Sequence, residues 1–331
     1  MINKKILILG VLIVLLAVLV FLLQEKPDLT GPEEQQKTII KIGCWTGDLH
    51  LLPFFVAQKA GIFDEYNLEV QLKQMESTVS TAALLKGEID YSIFIREGTM
   101  AILKGTPLRA VMSFYEKPFP YLLNAQPGIN LNDIKTIGIT YPLSPSHYVA
   151  LKAIEENDLP AEIVIAGGSG QVVFSLLETK RVDALVTPVN IPCLQFDKTG
   201  TAPIVQFIDH DIPSGLTTTE NKIRNNPEEV ERLIKALLSA IKFIKDNPEK
   251  SKEILFESYK LDETDVNQKV VEEILPRLKN NLSETGAFSN EEIDTLIKIG
   301  KTGAYETLED VEKQIVTDED IATVFDFRFV K

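Results

Sequence analysis

The sequence predicts an α/β protein of two similar lobes, each a mainly parallel sheet flanked by helices, preceded by one N-terminal transmembrane helix. Three observations predict it. Short β-branched segments alternate with helical ones along the middle of the chain. That alternation runs twice with nearly the same spacing. A long uncharged apolar run opens the chain.

The opening run comes first. Lys4 and Lys5 precede Ile6 to Leu23, which holds 18 residues, apolar apart from Gly10, with no charge. That length is the lower end for a membrane-spanning helix. The flanking lysines favour an N-terminus kept inside and a chain sent out. The run ends Val20-Phe21-Leu22-Leu23-Gln24, without the small-residue site of a cleaved signal. The expectation is an uncleaved anchor over residues 1–24, holding the protein at the outer face of the cytoplasmic membrane. Secretion or periplasmic release after signal cleavage is the alternative. Ile42-Gly43-Cys44 is no lipobox, since it stands far beyond the run and Lys41 occupies the leucine position. Residues 25–37 carry Pro27, Gly31, Pro32 and a polar stretch, and read as a linker.

The folded part begins with a β-branched strand, Thr38 to Trp45. A helix over Leu51 to Ala60 comes next, closed by Gly61. Leu68, Val70 and Leu72 alternate with polar residues as a strand does. Further segments read as a helix (Thr78 to Lys86, closed by Gly87), a strand (Ile89 to Ile95), a helix (Glu97 to Lys104, before Gly105) and a strand (Leu108 to Phe114).

The same plan then returns. Lys135 to Thr140 reads as a strand, Ser146 to Asn157 as a helix and Glu162 to Ala166 as a strand. Gln171 to Thr179 is the next helix and Val182 to Thr187 the next strand. Ile42-Gly43 matches Ile137-Gly138, and Leu84-Leu85-Lys86-Gly87-Glu88-Ile89-Asp90 matches Leu176 to Asp183 with one extra residue. Gly43 and Asp90 are 47 positions apart, and Gly138 and Asp183 are 45 apart. Two units of equal size and plan imply two similar lobes. After Gly215 the chain turns helical and acidic. Asn226-Pro227-Glu228-Glu229 is a helix start, with a capping Asn, a first-turn Pro and acids at the positive end. Val230, Leu233, Ile234, Leu237, Leu238, Ile241 and Ile244 continue at helical spacing, as a stripe facing a core.

Composition narrows the function. The formal net charge of −14 speaks against nucleic acid, which needs clustered lysine and arginine. Two cysteines, Cys44 and Cys193, and three histidines, His50, His147 and His210, show no metal or disulfide spacing. No nucleophile elbow, zinc-helix motif or phosphate loop is present, and no cofactor is expected.

In open parallel sheets ligands bind beyond the carboxyl ends of the strands, where helix N–H groups point outward. The strand-to-helix junctions therefore supply the candidate site. In the first copy they contribute Trp45, Thr46, Gly47, Ser77, Thr78, Phe94 and Arg96. In the second they contribute Tyr141, Ser144, Gly168, Ser169 and Asn190. Tyr115 joins them from the connection between the copies. Ser77, Thr78, Ser144 and Ser169 also suit helix N-caps, Trp45 also suits a core position, and Arg96 also suits a pair with Glu97.

Three stretches carry a resemblance to the ABC-importer solute-binding proteins of the sulfonate/nitrate/taurine and thiamine-precursor-synthase-like family. Lys41 to Val70, with Pro53 to Phe63 at its heart, resembles the family's opening. Leu84 to Asp90 resembles its "L-x-x-G-x-x-D" signature. Ile134 to Ile139 and Arg181 to Ala184 resemble the second-lobe counterparts, and Asn247-Pro248-Glu249 resembles a family helix start. The resemblance implies a type II periplasmic-binding fold. Lobe 1 would span residues 38–114 and 212–331, and lobe 2 residues 115–211. It further implies a small-molecule ligand (a sulfonate, nitrate or a pyrimidine-like heterocycle), delivered to the permease and ATPase subunits of an importer, with no catalysis. An enzyme of thiamine- or menaquinone-type precursor synthesis on the same fold, or a ligand-sensing domain, is the alternative. The thiamine-precursor enzymes' cysteine-rich cluster is missing from this chain.

Overall fold

In the computed structural model the described residues are 36–45, 49–116, 121–126, 128–142, 144–167, 170–188, 202–207, 214–261, 265–302 and 308–330. The chain divides into two compact units, Met1–Gln36 and Lys37–Lys331, and both sheets belong to the second. The expected anchor at Ile6 to Leu23 lies outside the described residues. Among those described, no helix is long and apolar enough to cross a membrane.

The first sheet is built from β1 (Thr38–Cys44), β2 (Leu68–Gln74), β3 (Tyr91–Ser92), β4 (Leu108–Ser113) and β10 (Gly215–Thr219), in the order β2-β1-β3-β10-β4. β1 pairs in parallel with β2 and β3, while β10 runs antiparallel between β3 and β4. Four of its five strands thus point one way. Helices α1 (Leu52–Lys59), α2 (Ile62–Glu65), α3 (Ser77–Lys86) and α4 (Ile95–Ile102) connect them.

The second sheet repeats the plan. β5 (Tyr121–Ala125), β6 (Thr136–Ile139), β7 (Glu162–Ile165), β8 (Ala184–Pro188) and β9 (Ala202–Phe207) lie in the order β7-β6-β8-β5-β9. Here β5 is the antiparallel strand, between β8 and β9. Helices α5 (Pro145–Glu156) and α6 (Gly170–Glu178) make the crossovers. In both sheets the first strand of the copy lies between the second and third, and the fifth member arrives from the far side of a connection.

The connections decide how the sheets face. β4 ends at Ser113 and β5 begins at Tyr121. β9 ends at Phe207 and β10 begins at Gly215. Each link is seven residues, at most about 25 Å when extended. Both links leave a parallel strand at its carboxyl end, and both enter the antiparallel member where the other sheet's parallel strands finish. The carboxyl edges of the two sheets are therefore held close to each other.

The C-terminal helices return to the first sheet. They are α7 (Glu220–Asn225), α8 (Pro227–Asp246), α9 (Pro248–Tyr259), α10 (Asp265–Asn281), α11 (Asn290–Thr302), α12 (Leu308–Glu312) and α13 (Asp318–Val324). The expected stripe on α8 buries Val230, Leu233, Ile234, Leu237, Ile241 and Ile244 in one core with Ile40, Ile42 and Phe54. Truncating one such leucine to alanine costs about 2–5 kcal/mol. Helix α11 packs instead on α4 through Leu296 and Ile297. A small separate cluster joins Ile299 and Val311 to Tyr148 and Leu151 of α5, so the C-terminal helices also touch the second sheet's layer.

The repeated signature has a structural reason. Asp90 accepts the backbone N–H of Lys41 at 2.8 Å. Asp183, its counterpart, accepts the N–H groups of Lys135 and Thr136 and the Thr136 hydroxyl, each at 3.0 Å. In each copy this aspartate stands at the amino end of the third strand and ties it to a backbone amide of the first, away from the facing edges. Gly87 ends α3 at φ 71°, where a side chain would be strained. Gly43 lies so close to Ile89 Cδ1 and Met75 Sδ that an added Cβ would meet them at 2.6 and 2.7 Å.

Some expectations change. The stretch Ile89 to Ile95 is not one strand. Ile89 is buried below the sheet, only Tyr91–Ser92 pair, and Phe94 turns the chain by donating its N–H to the Ser92 hydroxyl at 3.1 Å. Helix α4 therefore starts at Ile95, two residues before the expected Glu97. Strands β5, β9 and β10 are additions that the sequence reading does not contain.

Replacing Asp183 with alanine strands the donors it satisfies, and costs about 1–3 kcal/mol. Calorimetry of Asp183→Ala should show Tm lowered by several degrees. An unchanged Tm would remove the aspartate from this structural role.

Candidate functional site

The facing edges gather the strand-to-helix junctions of both copies. In the first, Trp45 directly succeeds β1 and is half-buried. Thr46 and Gly47, which come next, lie outside the described residues. A short 3₁₀ turn, Leu49–Leu51, then presents His50, whose ring meets Tyr115 edge-on with centroids 4.9 Å apart. Tyr115 is buried at the start of the first connection. Ser77 and Thr78 open α3, but Glu76 holds the cap position and no side chain caps this helix. Ser77 is half-buried and Thr78 is exposed.

Helix α4 contributes the charge. Phe94 occupies its N-cap position, and Arg96 and Glu97 lie in its first turn. The Arg96 guanidinium bonds to the Glu97 carboxylate, and the two side chains are 8% and 15% exposed. Arg96 also approaches Met100 Sδ at 3.7 Å. Of the two sequence readings of Arg96, the pair with Glu97 is present and is largely buried rather than on the surface.

The second sheet brings Tyr141, half-buried beyond β6, and the first turn of α5. Ser144 is the N-cap of α5 and accepts from the His147 backbone N–H at 3.2 Å. Its hydroxyl also shares a 2.8 Å hydrogen bond with that of Ser146. Ser144 thus serves the helix first. Gly168, Ser169 and Asn190 lie outside the described residues.

His147 is the informative addition. It is half-buried, and burial first and the Arg96 charge second push its pKa below the ordinary 6.5. Arg96 follows a strand of the first sheet and His147 a strand of the second, so their electrostatic coupling acts across the facing edges. The sequence reading weighs His50 and His147 only as metal ligands, and their spacing gives no reason to place either at the site. Their positions beside strand carboxyl ends are the signal that finds them. Among the described residues no group of three His, Cys, Asp or Glu side chains could hold a metal ion.

Below the first connection, Ser113 Oγ donates to Glu292 Oε1 at 2.6 Å, and Glu292 Oε2 accepts from the Ser289 N–H at 2.6 Å. Burial raises the Glu292 carboxyl above its ordinary pKa despite these bonds. Glu116 N–H donates to the Asn281 carbonyl at 2.8 Å, so the connection is anchored to the end of α10 where it leaves β4.

Two facing α/β sheets with this strand order define the type II periplasmic-binding fold. The periplasmic aliphatic sulphonate binding protein SsuA of Escherichia coli matches with a TM-score of 0.66 at 14% identity, over 87% of this chain and 97% of that one. The periplasmic nitrate-binding protein NrtA of Synechocystis PCC 6803 matches with a TM-score of 0.59 at 14% identity, over 87% and 85%. The riboflavin-binding protein RibY of Chloroflexus aurantiacus is 24% identical, over 76% of this chain and 75% of that protein. A family model described as NMT1/THI5 like matches residues 49–251, and the chain belongs to that family.

NMR titration of the His147 ring should give a pKa below 6.5. Arg96→Ala should raise it only partway, because burial is the larger cause. Since the folded value lies below the unfolded one, this group's contribution to stability is complete above 6.5. It is lost as pH falls from 6.5 through the folded value. A His147 pKa unmoved by Arg96→Ala would place the two groups apart.

Proposed function

We propose that this chain is the extracytoplasmic solute-binding protein of an ABC importer and binds one small molecule between its two sheets without converting it. The observation that carries the reading is the topology, in which both seven-residue links join the two sheets at their carboxyl edges, where the strand-to-helix junctions of both copies lie. Two layers joined by two short links suit closure about a solute, and clefts of this kind bury most of a small ligand. Family membership and the binding proteins among its relatives support the same reading. Sulfonate, nitrate and riboflavin are bound by relatives according to their names, and these compounds bound the ligand classes to test.

In this reading lobe 1 comprises residues 38–114 and 212–331, lobe 2 comprises residues 115–211, and the links are the hinge. The site would use Trp45, Thr46, Gly47, Ser77, Thr78, Phe94, Arg96 and Tyr115 from lobe 1 and the first link, and Tyr141, Ser144, Gly168, Ser169 and Asn190 from lobe 2. His50 and His147 join them. The run Ile6 to Leu23 tethers the protein to the membrane beside its permease and ATPase partners. N-terminal sequencing of the native protein should then find residues ahead of Leu23. A chain starting after Gln24 would mean that the run is a cleaved signal.

Trp45 is the only tryptophan, so the protein's indole emission reports on this one position. Stacking on a ring would add about 0.5–1.5 kcal/mol beyond buried area. Titrating the full-length protein with its solute should shift that emission and saturate at one equivalent, with no product formed. Trp45→Ala should weaken binding about two- to tenfold while the empty protein keeps its Tm. A large drop in Tm would return Trp45 to the core, and steady turnover would move the chain to the enzyme class.

A further inference from the structure

We infer that the cleft selects an uncharged, ring-bearing solute and disfavours sulfonate, nitrate and similar anions, because Arg96 is neutralised by Glu97 within one helical turn. The inference rests on the binding-protein reading and narrows its ligand.

Among the described junction residues at the two carboxyl edges, Arg96 is the only lysine or arginine. Its guanidinium is committed to the Glu97 carboxylate, and both side chains are largely removed from water. An anion seated against Arg96 would sit beside that carboxylate. It would have to displace Glu97 or share the guanidinium with it, under like-charge repulsion that a dry cleft screens poorly. His147 offers no compensating charge near neutral pH, since burial and Arg96 keep its ring neutral.

An uncharged ring meets none of these penalties. Trp45, Phe94 and Tyr141 are half-buried at the same edges, and Tyr115 is packed against His50. Such side chains supply flat apolar faces, with indole, phenol and imidazole polar atoms at the rim. The Arg96–Glu97 pair then acts as a fixed dipole that can hydrogen-bond to ring amide or carbonyl groups without demanding net charge.

The test has two arms on the full-length protein in detergent. In the first, natively purified protein is denatured and the released small molecule is identified by mass spectrometry. In parallel, riboflavin, cytosine, ethanesulfonate and sodium nitrate are titrated by calorimetry at about 50 and about 500 mM sodium chloride, a span over which exposed charges become strongly screened. The expected result is an uncharged ring compound, either released or binding at least a hundredfold tighter than either anion, with less than a twofold change across the salt range. In the second arm, Glu97→Gln exposes the arginine's charge and should raise ethanesulfonate affinity at least tenfold. Should that variant unfold, the salt dependence of the parent protein decides alone. An anion that is released or preferred by the parent, with affinity falling steeply in salt, overturns the inference and keeps the binding-protein reading. No released molecule and no binding of any probe overturns both.

Discussion

The structure depends on one constraint, the shortness of the two links between the sheets. Each joins strand ends across seven residues. Because both attach at carboxyl edges, neither sheet can turn those edges away from the other. Everything at the candidate site derives from that. The helices that start at these edges point their first turns inward, which is why Arg96 on α4 and His147 on α5 come near enough to interact. The opposite edges, where Asp90 and Asp183 bind strand amides, are left for holding each sheet together.

The division between ends also explains which sequence features are structural. The L-x-x-G-x-x-D stretch at Leu84 to Asp90 and its glycine-free counterpart at Leu176 to Asp183 are the most recognisable parts of the chain, yet their aspartates do not reach the facing edges. At the amino end of the first sheet, Lys222 lies between Asp90 and Glu229 at 2.9 and 2.8 Å. Burial works to lower the Lys222 pKa, but the two carboxylates outweigh it and hold the charge in place. Glu229 also accepts from the Tyr91 hydroxyl at 3.3 Å. A signature that marks family membership here marks a foundation, and the residues facing the other sheet are single, scattered side chains with no repeating pattern.

That contrast sets what could be read from the sequence. The parallel cores of both sheets were legible because β1, β2, β6 and β7 are short, rich in β-branched residues or alternating, and separated by helices with clear ends. The strands β5, β9 and β10 were not. Gly215-Leu216-Thr217-Thr218-Thr219 is short, and its partners β3 and β4 lie more than a hundred residues earlier in the chain. Its place in the sheet is decided by where the second link returns, and local propensity carries no trace of that. The division of Ile89 to Ile95 into loop, strand and helix was hidden for another reason. Its isoleucines are all buried, but in different layers, and burial alone has no period to read.

The candidate positions were legible in the sequence, but their charge was not. Trp45, Phe94, Arg96 and Tyr141 stand just beyond the carboxyl ends of β1, β3 and β6, as the strand pattern predicts. Sequence left open whether Arg96 faced water with its neighbour or faced a ligand. The geometry resolves this into a third arrangement, a pair that is at the facing edges and mostly dry. A buried pair between adjacent residues is a poor stabiliser, since each charge loses water to gain one partner. Such a pair persists where its position matters more than its energy. Placed at the start of α4, the pair supplies polarity with little net charge, and that balance is what the preference proposed above for rings over anions rests on.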